Sequence, residues 1–76
     1  MGKSIYTTEY ARFLRALKKA RIDAGMGQNE VAKALGKPQS FVSKCESGER
    51  RVDIVELQRF AELYKRPLNY FIRTQK

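Results

Sequence analysis

The sequence predicts an all-α fold of five helices. Three observations predict it: apolar stripes at the 3.6-residue period, helix-stopping glycines and prolines between them, and no alternating run that would mark a strand. The first stripe is Phe13, Leu17, Ala20 and Ala24, spaced so that a helix over residues 8–24 turns them to a core. Thr7 or Thr8 can cap this helix, and Glu9 places negative charge in its first turn, where the unpaired N–H groups favour it. Arg12, Arg15, Lys18 and Lys19 lie largely off the stripe. Gly25 ends the helix.

Two short helices follow, over about residues 28–35 and 39–46. Val31, Ala32 and Leu35 make the apolar edge of the first, and Ala32 is small where two helices must cross closely. Gly36 closes it, since a residue without Cβ takes positive φ at no steric cost. Pro38 is tolerated in a first helical turn because its missing N–H would have had no partner there. Val42 and Cys45 sit three apart on the inner face of the second helix. That leaves Gln39, Ser40, Ser43 and Lys44 outside, short polar and cationic side chains suited to reading base edges in a DNA major groove.

Residues 47–51 read as a loop. Asp53 caps a fourth helix to about residue 64, and Glu56, three residues on, completes a box-like arrangement. Ile54, Leu57, Phe60 and Ala61 form its apolar face. Pro67 opens a last short helix through residue 72, where Leu68, Phe71 and Ile72 can close the core.

A chain of 76 residues makes a single domain, residues 1–76, which buries only about 60% of its unfolded surface. No apolar run approaches the ~20 residues of a membrane span, and no signal-peptide pattern opens the chain. The Met1-Gly2 start lacks Ser or Thr at position 6, so the myristoylation pattern fails. One cysteine and no histidine exclude an intramolecular disulfide and argue against a metal site. No cofactor is implied, and a reducing cytoplasm is the expected compartment. The net charge of +8 attracts polyanions. With no histidine, no paired carboxylates in a plausible cleft and no phosphate-cradling glycine loop, the chain does not read as an enzyme.

The segment QNEVAKALGKPQSFVSKCE, residues 28–46, resembles the helix-turn-helix of the Cro/repressor-like (Xre) DNA-binding domains. Gln28 stands first in that motif, Ala32 fifth, Gly36 ninth and Val42 fifteenth. Upstream, RIDAGMGQ resembles the family's R-x-x-x-G-L-[ST]-Q, and downstream ESGERR resembles E-x-G-x-R. The resemblance covers about residues 9–72 and implies a compact, lambda-repressor-like five-helix domain. It further implies a sequence-specific regulator of transcription, a repressor, bound to double-stranded DNA as a homodimer on a near-palindromic operator.

The same resemblance assigns roles. Gln39, Ser40 and Lys44 match base-contacting positions, with Ser43 beside them. Gln28 matches the family's phosphate-binding glutamine at a helix start. Ser47, Gly48, Arg50 and Arg51 would clamp the DNA backbone, with Lys37 as a weaker phosphate candidate. Arg21 and Glu46 match a pair that fixes the recognition helix structurally. Phe41 departs from the usual small or polar residue; it can meet thymine methyls, pack on the neighbouring helix, or stand exposed. Gly27, Pro38 and Cys45 also depart from the pattern, replacing a side-chain cap, a Ser or Thr, and a larger core residue. Cys45 reads as core rather than as a redox sensor. The alternative function is a protein-binding module, an antitoxin or regulatory adaptor, which would use Tyr64, Tyr70 and Phe41 as exposed aromatics.

Overall fold

A computed structural model describes residues 7–72, so the Met1-Gly2 pattern lies outside the described residues. Among these residues the chain forms five α-helices and no strand: α1 (Thr8–Asp23), α2 (Gln28–Leu35), α3 (Gln39–Ser47), α4 (Ile54–Tyr64) and α5 (Leu68–Phe71).

Local chemistry explains where each helix begins and ends. Thr7 caps α1, its hydroxyl accepting the Tyr10 N–H at 3.2 Å. Gly27 has no side chain to cap α2, yet Glu30 reaches back and accepts the Gly27 N–H at 2.7 Å. Gly36 turns left-handed at φ +69, which lets the Lys37 N–H bond the Ala32 carbonyl at 2.9 Å. Pro38 lies just outside α3 rather than within its first turn; at this position too an N–H would lack a helical partner. α3 runs one residue past its expected end, because the left-handed turn is made by Gly48 at φ +87. At α4, Asp53 accepts the Glu56 N–H at 2.8 Å, and Glu56 accepts the Asp53 N–H at 3.1 Å.

The core gathers Phe13, Leu14, Leu17 and Ala20 of α1, Val31 and Ala32 of α2, Val42 and Cys45 of α3, Leu57, Phe60, Ala61 and Tyr64 of α4, and Phe71 of α5. Leu17 and Phe60 are wholly buried, each contributing about 2–3 kcal/mol. α3 rests on α2 and α1, while α5 closes against α1 and α4. The Tyr10 hydroxyl accepts the Val52 N–H at 3.0 Å and so ties α1 to the loop leading into α4.

Four expectations about the core are corrected. Ala24 is exposed, Ile54 is 60% exposed, and Leu68 and Ile72 lie at the surface. Each sits at a helix end, where a stripe continues past the neighbouring helix that would cover it. Tyr64 is the opposite case: expected outside, it is 3% exposed and packs on Phe60 with ring centroids 5.9 Å apart. It continues the Leu57, Phe60, Ala61 face at the helical period, and burial pushes its phenol up.

Candidate nucleic-acid interface

Because Val42 and Cys45 are wholly buried, helical geometry turns the other side of α3 outward. Gln39, Ser40, Lys44 and Ser47 are exposed there and Ser43 is half-buried. The face is about 13 Å long at 1.5 Å per residue, close to the ~12 Å width of a major groove.

A hydrogen-bonded chain connects the protein interior to this face. Arg21 donates from Nε to Glu46 Oε2 at 2.7 Å, from Nη2 to Oε1 at 3.3 Å, and from Nη1 to the Met26 carbonyl at 2.9 Å. Its side chain is 12% exposed and that of Glu46 5%. The hydrogen bond to Glu46 raises the Arg21 pKa above its already high value, so the guanidinium stays charged. Gln28 Nε2 donates to Glu46 Oε1 at 3.0 Å, and Gln39 Nε2 donates to Gln28 Oε1 at 2.8 Å. The first outward residue of α3 is thereby oriented from within. Sequence reasoning placed Gln28 at a helix start but missed both of its side-chain partners, which lie on another helix.

The cations around α3 are arranged on aromatic rings. Lys37 Nζ lies 5.3 Å from the Phe41 ring centre, and the Arg51 guanidinium lies 4.7 Å from that of Tyr10. Both side chains are exposed, so the stacking orients them without removing them from solvent. Phe41 packs rather than projecting: it is half-buried and lies nearly parallel to Phe60, 6.3 Å between centres. The Ser47 hydroxyl donates to the Lys44 carbonyl at 3.2 Å and accepts the Glu49 N–H at 3.3 Å, shaping the loop while remaining exposed.

Two expected backbone contacts look different in three dimensions. Gly48 is buried, so it makes the turn after α3 and leaves little surface for a phosphate. Arg50 has its fork occupied: Nη1 and Nη2 donate to the two Glu56 oxygens at 2.7 and 2.8 Å, and Nη1 also reaches the Arg51 carbonyl at 3.2 Å. These bonds hold the Glu56 carboxyl below the usual carboxylate range. Cys45 lies beneath, and burial pushes its thiol up, with Arg50 opposing more weakly, so thiolate chemistry is disfavoured.

Among the described residues no cluster of potential ligands could hold a metal ion, and no helix is long and apolar enough to cross a membrane. The helix-turn-helix domain family matches residues 9–69. Among solved structures, an XRE-family like protein from Pseudomonas syringae pv. tomato str. DC3000 is 41% identical, with a TM-score of 0.77, and the match covers 83% of this chain and 77% of that one. No curated protein matches the chain.

Proposed function

The chain belongs to the XRE family of helix-turn-helix domains, and on that premise we propose that it is a DNA-binding transcription regulator that represses by occupying a promoter. In this reading α3 enters the major groove. Gln39, Ser40, Ser43 and Lys44 face the base edges, while Gln28, Lys37, Ser47 and Arg51 lie along the phosphates on either side. The observation that carries the reading is the outward face of α3, polar and cationic, with its first residue held by Gln28 and, through Glu46, by Arg21. Glutamine can bond adenine N6 and N7 together, and lysine can donate to guanine O6 or N7. A surface of this kind, on a chain of net charge +8, fits a polyanion that also carries a hydrogen-bonding code.

A homodimer would place two such helices in successive major grooves, about 34–36 Å apart, on a near-palindromic site. The exposed Leu68 and Ile72 at α5 supply apolar surface for such a pairing. Selection of bound sequences from a random duplex library tests the reading. The expected result is an enriched half-repeat and a log K that falls linearly with log[salt] by about 0.9 per phosphate neutralised. Binding indifferent to salt, with no enriched sequence, would remove it. Of the aromatics that the protein-binding alternative would use, Tyr64 is buried and Phe41 packs on α4, while Tyr70 is half-buried.

A further inference from the structure

Arg50 stands out because, although exposed, its charge is paired with a carboxylate of the protein itself. Its Nη1–Nη2 edge is closed by the two oxygens of Glu56. One face of the same guanidinium lies 4.8 Å from the centre of the Phe41 ring. Glu56 is itself fixed, because Oε1 also accepts the Asp53 N–H that starts α4. Phe41 is fixed as well, lying nearly parallel to Phe60 of α4. Finally, the Arg50 N–H bonds the Lys44 carbonyl at 3.2 Å, at the end of α3. One residue thus joins the outward helix to the first turn of α4.

We propose that Arg50 is a positioning residue that sets the rotation of α3 through Phe41 and Glu56, rather than a phosphate contact. The inference rests on the DNA-binding reading above and names how that same surface obtains its preference. Two arguments support it. A phosphate approaching Arg50 would meet a guanidinium whose end-on fork is filled and whose charge is balanced by an adjacent carboxylate; little counterion release remains to be gained. Rotation, by contrast, matters directly. Side-chain tips stand about 5–6 Å from a helix axis, so turning α3 by about 10° moves Gln39 and Lys44 by roughly 1 Å, enough to spoil a bidentate base contact.

The test uses the whole chain with its selected duplex and a scrambled duplex, measured by anisotropy over a salt series. The variants are Arg50→Gln, Arg50→Lys, Glu56→Gln and, as a comparator along the backbone, Arg51→Gln. Circular dichroism and thermal melts confirm that each is folded. Glu56→Gln decides most sharply. It removes a negative charge from a polyanion-binding protein and keeps an amide that can still close the α4 cap. If Arg50 is a positioning residue, Glu56→Gln and Arg50→Gln each weaken the selected duplex about tenfold and leave the scrambled duplex and the salt slope nearly unchanged. Arg50→Lys fails to rescue, because lysine has neither a planar fork nor a stacking face. Arg51→Gln weakens both duplexes alike and lowers the slope by about 0.9. The proposal is overturned if Glu56→Gln tightens binding, or if Arg50→Gln lowers the slope as Arg51→Gln does and Arg50→Lys restores it. A wild-type chain that binds no duplex overturns the DNA reading and this assignment together; binding by the wild type with the wrong variant pattern overturns the assignment alone.

Discussion

Two arginine–glutamate pairs hold α3 from its two flanks, and they are built at different depths. On the α1 side, Arg21 and Glu46 are 12% and 5% exposed. On the α4 side, Arg50 and Glu56 are 43% and 18% exposed. Both are bidentate, with shortest distances of 2.7 Å. Geometry alone would rank them as equals, yet the medium does not. A charge pair taken out of water leaves a costly orphan when one partner is lost, whereas an exposed charge is met by solvent. The deep pair therefore acts on whether the domain is folded. On the assignment proposed above, the shallow pair acts chiefly on how a folded domain is aimed.

The largest expected effect breaks the deep pair. Arg21→Ala should lower the stability of the DNA-free protein by on the order of 3 kcal/mol, read by chemical denaturation. Replacing Arg21 and Glu46 together by a matched apolar pair should recover part of that loss. A denaturation midpoint equal to that of the wild type would show that depth does not separate the two pairs, and would make Arg21 a new candidate for phosphate contact.

A smaller effect follows the hydrogen-bonded chain outward. Gln39→Ala or Lys44→Ala should each cost about 1–3 kcal/mol on the selected duplex and relax the preference at particular base pairs. Gln28→Ala should cost about 1 kcal/mol of that affinity, since it frees Gln39 and cuts its link to Glu46. Unchanged sequence preference in the Gln39 and Lys44 variants would mean that α3 presents a different face.

A control comes from the far end of α4. Lys65 holds a left-handed φ of +60 as the helix cap, where glycine is free of strain. Lys65→Gly should stabilise the fold by about 0.5–1 kcal/mol without altering the preference for the selected over the scrambled duplex. A changed preference would mean that general rigidity of α4, not the Arg50 contact, aims α3.

The smallest effect is in pH. Glu56 has a folded-state pKa below its unfolded value, chiefly through its hydrogen bonds from Arg50. Its contribution is therefore complete above the unfolded value of about 4.3 and is lost as pH falls through the lower folded value. Stability curves of wild type and Glu56→Gln should run apart near neutrality and converge in acid. Parallel curves through that range would deny the Arg50–Glu56 bond a part in folding.

Helix number and boundaries were legible because they are set locally. Glycine at 25 and 36 and proline at 67 act on their own backbone, and Asp53 and Glu56 lie one turn apart. Which residues share a core was legible in the middle of helices and failed at their ends. Ile54 and Ile72 continue a stripe yet stay exposed among the described residues, whereas Tyr64 continues one that Phe60 and its neighbours cover. The outward face of α3 followed from Val42 and Cys45. The box of Asp53 and Glu56 could be read from spacing, and the pair of Arg21 and Glu46 from the family resemblance; the partners of the other polar side chains could not. Gln28 bonds residues 11 and 18 positions away, and no periodicity encodes an approach between helices. Arg50 shows the same limit: its place after the motif suggests a phosphate, and only the fold reveals that Glu56 is nearer.

Cys45 carries a practical consequence. It is the single thiol of the chain and wholly buried on the inner face of α3. A reagent reaches it only when α3 shifts or the overlying Arg50–Glu56 pair opens, so its rate of labelling under native conditions measures how often that happens. The sulfur thus serves as a built-in clock for the one helix whose attachment matters most, readable in the untouched sequence. Loss of the Arg21 bond should make that clock run faster, and a bound duplex should slow it.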